Sequence, residues 1–209
     1  MGKTTLDKDL QKIASLDAAA HDPHRVRTLG LGFLFLLLIL PFIWLVVGDS
    51  PGLFSVMVAG VIGGYMALNI GANDVANNMG PSVGARALTL VGALIIAAVC
   101  EAAGALLAGA DVVSTISKGI VDPSAMADSA SFVRAMMAAL LAAALWTNLA
   151  TWMGAPVSTT HAVVGGVVGV GVTAAGVQAV NWDVMGGIAA SWVISPLLGG
   201  GIAAGVLAF

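Results

Sequence analysis

Across residues 135–182 no side chain carries a formal charge when histidine is neutral. A helix that crosses a bilayer needs about 20 mostly apolar residues, so this window alone has room for two crossings or for the two limbs of a hairpin. Similar windows recur along the chain. Residues 29–47 hold no charge, 52–73 hold none before Asp74, 87–110 carry only Glu101, and 184–209 carry none. With 59% hydrophobic and 9% charged residues over 209 positions, too little polar surface exists to cover a soluble globule. The reading is an all-α polytopic membrane protein with about six hydrophobic segments.

Helices rather than a lipid-facing barrel follow from the residues that fill the windows. They are rich in Gly, Ala, Val and Leu, and only 6% of the chain is aromatic, which suits helices in close contact and not strands with aromatic girdles. Gly60-x-x-x-Gly64, Gly165-x-x-x-Gly169 and Gly201-x-x-x-Gly205 have the spacing of close helix contacts. Cys100 lies inside an apolar window and has no second cysteine to pair with. Five of the eight Lys and Arg residues (Lys3, Lys8, Lys12, Arg25, Arg27) precede the first window, which places the N-terminus in the cytoplasm by the positive-inside rule. Residues 1–28 are therefore expected to form a cytoplasmic tail, 29–47 an additional transmembrane helix, and 51–209 the functional unit of a multi-pass protein of the cell (inner or plasma) membrane.

Two polar motifs interrupt this pattern. The first is N-I-G-A-N-D-V-A-N-N-M-G-P-S-V-G, at residues 69–84. Asn69, Asn73 and Asn77 recur every four residues and so share one helix face, with Asp74 and Asn78 beside it. Amide oxygens and a carboxylate suit a hard cation such as Na⁺, and amide NH₂ groups can donate to an anion. An interhelical hydrogen-bond zipper is the structural alternative, but an ionisable residue inside a span points to function. Gly80-Pro81 is expected to stop the helix, because proline lacks a backbone donor and fixes φ.

The second motif is P-V-S-T-T-H, at residues 156–161. Pro156 suits the first turn of a helix, leaving free N–H groups and the hydroxyls of Ser158, Thr159 and Thr160 at its N-terminus. Such a convergence binds oxyanions without a lysine, whereas ordinary capping would employ only one of the hydroxyls. His161 is a candidate proton relay or a hydrogen-bond partner, and Glu101 a candidate coupling group or half of a structural pair. Ser195-Pro196 is expected to interrupt the last segment. The sum is a pair of broken helices, one offering cation ligands and the other anion donors, as in ion-coupled transporters.

These residues also carry a resemblance. G-A-N-D-V-A-N-N-M-G-P-S-V-G-A-R-A-L-T (71–89), P-V-S-T-T-H-A-V-V-G (156–165) and S-W-V-I-S-P-L-L-G-G (191–200) resemble the signatures of the inorganic phosphate transporter (PiT) family. The resemblance implies an inverted-repeat unit of a secondary transporter that carries phosphate with Na⁺ or H⁺. It places Asn73, Asp74 and Asn77 at the coupling cation and Asp74, Asn77, Ser158, Thr159 and Thr160 at the phosphate, with the second motif on a re-entrant hairpin. Family members contain two inverted copies of the unit, and this chain matches the N-terminal one, preceded by an extra span. It reads as a fragment, or as a half that acts with a second transporter half or a homodimer partner.

The expected function is cation-coupled transport of inorganic phosphate, with no cofactor beyond the coupling Na⁺ or H⁺ and no nucleic-acid partner. A sulfate permease of the same family and a non-transporting membrane subunit are the alternatives. An intramembrane hydrolase with Ser158 as nucleophile and His161 as base is disfavoured, since no G-x-S-x-G elbow is present.

Overall fold

The computed structural model describes residues 23–208; the expected cytoplasmic tail falls outside them over residues 1–22. Six α-helices follow in order: α1 (Pro23–Val47), α2 (Leu53–Gly84), α3 (Leu90–Ser114), α4 (Ser129–Trp152), α5 (Thr159–Ala175) and α6 (Trp182–Leu207). Five are long and apolar enough to cross a membrane, and α5, with 17 residues, is apolar but shorter. The six hydrophobic segments are thus all present, and the uncharged window at 135–182 is divided into one full-length limb and one short one. Leucines such as Leu106, Leu107, Leu197 and Leu207 stand exposed on the helix surfaces, as expected where lipid rather than water is the solvent. The chain is an all-α, multi-pass membrane protein.

Helix starts follow from capping chemistry. Thr89 caps α3 by accepting from the Gly92 N–H, Asp128 caps α4 from Ser131, and Asn181 caps α6 from Val184. Each side-chain oxygen satisfies an amide that the helix itself leaves unpaired. The Ser131 N–H and hydroxyl hold the Asp128 carboxyl below its ordinary range, and the Ser124 hydroxyl and N–H do the same for Asp122.

Two expectations about helix breaks are corrected. Helix α2 runs through Gly80-Pro81 to Gly84, and α6 runs through Ser195-Pro196 to Leu207. The residue before a proline avoids the helical region mainly because its Cβ meets the proline ring; at position 80 it is glycine, so that clash is absent. Proline within a membrane helix costs one backbone bond, which such helices tolerate. The break that Gly154 and Pro156 announce after Trp152 does occur, at residues 153–158 between α4 and α5.

The chain forms two compact units, one up to Tyr65 and one from Met66. In the first, Gly60 and Gly64 of α2 lie against α1 so closely that a Cβ on either would strike Ile43 or Ile39. Close contact through this glycine pair is therefore observed. The other two spacings do not behave so: a Cβ on Gly165, Gly169, Gly201 or Gly205 would meet nothing. Gly166 is the contact glycine instead, since its Cβ would lie 2.7 Å from the Ala139 carbonyl oxygen.

That contact belongs to the second unit, where α5 packs along the alanine face of α4 (Ala139, Ala143, Ala144, Ala150). Small residues let the two backbones approach, which is how helices associate without a hydrophobic drive between them. At the far end of the pair, Ile120, Val121, Val164, Val167 and Val180 form an apolar plug. It is fastened by an antiparallel bridge between Val121 and Val180, with Asn181 N–H donating to Ile120 C=O at 2.8 Å and Asp122 N–H to Ala179 C=O at 3.0 Å.

Candidate functional site

The polar face of α2 does two different things along its length. Asn69 and Asn73 are 5% and 4% exposed, and Asn73 lines a small pocket of about 230 Å³ with Asn77, Thr151 and Ala155. Asn148 of α4 donates to Asn69 Oδ1 at 2.9 Å. Asn73 Nδ2 donates to Thr151 Oγ1 at 3.1 Å and to the Ala155 carbonyl at 3.4 Å, while Asn73 Oδ1 accepts from the Val157 N–H at 3.3 Å and from Asn77 Nδ2 at 3.1 Å. This upper part is the interhelical zipper. With both donors and both acceptor positions of Asn73 engaged, its side chain holds the chain between α4 and α5. Among the described residues no buried side-chain polar atom lacks a partner, as such a setting requires.

One turn further on, the same face opens. Asp74, Asn77 and Asn78 line a cleft of about 390 Å³ together with Pro156, Val157, Ser158, Thr159 and Thr160. Thr159, 6% exposed, donates its hydroxyl to Asp74 Oδ2 at 2.7 Å. The two motifs, already linked by the Val157–Asn73 bond, are thereby joined side chain to side chain by residues 85 apart in sequence. Asp74 Oδ1 and Asn77 Oδ1 accept no hydrogen bond among the described residues. The phosphate-site candidates Asp74, Asn77, Ser158, Thr159 and Thr160 thus share one cleft, and Asn73 stands behind it.

The second motif starts its helix later than its proline suggests. Ser158 is the cap of α5, and Pro156 lies before it in the connecting turn. Ser158 Oγ accepts from the His161 N–H at 3.3 Å and meets His161 Nδ1 at 2.5 Å. The backbone N–H groups of Thr159 and Thr160 belong to the first turn, which has no intrahelical acceptor for them. Thr160 is exposed and lines the cleft. The imidazole of His161 stacks on the Trp192 indole of α6, with centroids 3.8 Å apart. His161, Trp192, Ser158 and Thr160 also line a second cleft of about 550 Å³ on the other side of the α5 N-terminus, with Asp111 and Ser191. Glu101 stands exposed on α3 and lines neither cleft.

A Ser–His contact is what a nucleophile and its base would make. Here the hydroxyl is the cap of its own helix, and the ring is backed by an indole rather than by an orienting carboxylate. The sequence reading missed Asn148 and Thr151, which supply the α4 side of the zipper. Their signal was present as T-N-L-A-T after an alanine- and leucine-rich run, with positions 148 and 151 about one turn apart on one face. It also missed Trp192 as the partner of His161, a pairing that no spacing announces.

The fold and site define a polytopic helical membrane protein with a carboxylate, amides and hydroxyls gathered at a helix N-terminus inside the bundle. Residues 70–209 match the phosphate transporter family, and the chain belongs to that family. Over 155 residues it is 57% identical to a Helicobacter pylori (strain J99) protein named "Putative phosphate permease", covering 74% of this chain and 29% of that protein. A Mycobacterium bovis protein, "Putative phosphate permease Mb2302", is 46% identical over 162 residues, again with 73% of this chain and 29% of the relative covered. Among solved structures, "The sodium-dependent phosphate transporter" is similar with a TM-score of 0.66 and 46% identity, over 70% of this chain and 36% of that one. The chain thus spans about a third of the length of these relatives.

Proposed function

We propose that the chain is one repeat unit of a transporter that moves inorganic phosphate across the membrane together with Na⁺ or H⁺. The observation that carries this reading is the Thr159–Asp74 hydrogen bond, which puts an anion-binding helix start beside a carboxylate within a membrane domain. Ser158, Thr159, Thr160 and the first N–H groups of α5 hold the phosphate oxygens. A phosphate next to Asp74 is repelled unless a cation lies between them, since charges this close interact strongly where water is scarce. Asp74 and Asn77 provide the oxygens for that cation, and Asn73 fixes their frame. The names of the similar proteins agree with phosphate as substrate, and that of the solved structure with Na⁺ as the coupled ion. A second unit, from another chain segment or another copy, completes the cavity.

The chain together with its second unit in proteoliposomes tests this by [³²P]phosphate uptake with and without an inward Na⁺ or H⁺ gradient. Uptake should follow one of these gradients and be lost in Asp74→Asn, while the variant still inserts in the membrane. Near-normal, gradient-driven transport by Asp74→Asn would refute the role given to Asp74. Sulfate uptake without phosphate uptake would redirect the substrate, and no anion-dependent stabilisation of any kind would leave a non-transporting subunit.

A further inference from the structure

The hydroxyl of Ser158 has one hydrogen, and its oxygen already accepts the His161 N–H as the cap of α5. Its contact with His161 Nδ1 therefore has two forms. With a neutral ring protonated at Nε2, Nδ1 is an acceptor and takes the Ser158 hydrogen. With Nδ1 protonated, the ring donates to Ser158 Oγ, and the hydroxyl hydrogen is released toward the cleft. Only the second form leaves Ser158 a donor for an anion. Resting on the phosphate reading above, the geometry points to His161 as the positioning residue that decides whether Ser158 donates to the substrate, with Trp192 holding the ring in register.

Surroundings support this assignment. The Trp192 stack fixes the imidazole plane from the α6 side, so Nδ1 stays on Ser158 in both forms, and an aromatic face tolerates the imidazolium through cation–π attraction. Charged groups near the ring are few. From α6 the cleft receives Ile188, Ser191, Ser195 and Pro196, none titratable; from α3 it receives the carboxylate of Asp111. Asp74 of α2 is bonded to Thr159 on the other side of the helix start. No lysine or arginine lines this cleft among the described residues. Phosphate and an Nδ1-protonated ring therefore favour one another: the anion draws the serine hydrogen, and the ring supplies the bond that the serine oxygen then accepts.

Two measurements on the full chain in detergent test the assignment. In the first, inorganic phosphate binding is followed by thermal shift across pH for the parent and for His161→Asn, which keeps a polar group near Ser158 but does not titrate. Taking the ratio of the two affinities cancels the titration of phosphate itself. The ratio should rise roughly tenfold from mildly alkaline to mildly acidic pH, the size expected for one hydrogen bond to a charged group. A flat ratio, with both proteins binding phosphate, overturns the proposal and leaves the transport reading intact. In the second, ¹⁵N-histidine NMR reads the ring without any ligand. Nδ1 of the neutral ring should be unprotonated, and Ser158→Ala should change its signal; an Nδ1–H neutral ring overturns the proposal even if His161→Asn fails to fold. Absence of phosphate binding in the parent, with the expected tautomer, would count against the phosphate reading and the substrate half of this one, leaving only the hydrogen-bonded pair.

Discussion

Replacing Thr159 by valine removes one oxygen and keeps the shape of a side chain that is 6% exposed. The cost is therefore that of the hydroxyl's 2.7 Å bond to Asp74 Oδ2 and little else. A hydrogen bond to a charged group contributes about 1.5–3 kcal/mol, and its acceptor left half-buried loses solvation as well. Thr159→Val should thus destabilise the second unit by about 2 kcal/mol. In a double-mutant cycle with Asp74→Asn, the second change should add much less to the first than it costs alone, with a coupling of about 1–3 kcal/mol, as residues sharing a bond are not additive. Reversible denaturant unfolding in mixed micelles, followed by tryptophan fluorescence, supplies the four stabilities. Phosphate should stabilise the parent and not Thr159→Val. Additive single effects, or unchanged phosphate stabilisation in Thr159→Val, would show that the carboxylate and hydroxyl do not work together, and the site as built here would fail.

Three further outcomes follow. Gly166→Val should destabilise the α4–α5 pair by about 1–3 kcal/mol, because its Cβ would stand 2.7 Å from the Ala139 carbonyl oxygen and overpacking against backbone is not relieved by a rotamer; Gly165→Val, where nothing lies near, serves as the control in the same unfolding assay. Asn73→Ala should lower stability more than Asn78→Ala, since it strands Thr151, Ala155 and Val157, and limited proteolysis should then cut within residues 153–158. Asp122 and Asp128 have lowered pKa values through Ser124 and Ser131, so their caps are fully effective above about pH 4, the ordinary carboxylate value, and are lost as pH falls through the lower folded values. The protection factors of the Ser124 and Ser131 amides, corrected for the intrinsic pH dependence of exchange, should fall there, and in Asp128→Asn the Ser131 response should disappear.

Much of this was legible in the residues because hydrophobic length is a blunt and reliable signal. The uncharged windows located all six helices, and the four-residue recurrence of asparagines correctly gave one polar face. What the recurrence could not say is where along that face the partner helix ends. Asn69 and Asn73 face α4 and Asn77 does not, and this depends on where α4 gives way to the turn at residues 153–158. Two of the expected breaks were misplaced for a local reason: Pro81 and Pro196 looked like stops and are not, whereas the one announced after Trp152 by Gly154 and Pro156 occurs. A proline forbids one hydrogen bond, but whether the helix ends there depends on its neighbours. Glycine spacing failed at 165 and 169 because a spacing carries no phase, and Gly166, one residue away, is the one that touches α4. The stack of His161 on Trp192 depends on how α6 lies against α5, which no local pattern encodes.

Asn73 grips the linker between α4 and α5 at three places: a hydroxyl just before it, a carbonyl inside it and an amide near its end. A hinge needs backbone that can swivel without losing partners, and this linker, though it has the length and glycine content of one, has none to spare. The turn is therefore tied to residues 66–84 of α2. On the proposed transport reading, the bend that would turn the cleft from one side of the bilayer to the other lies outside this linker.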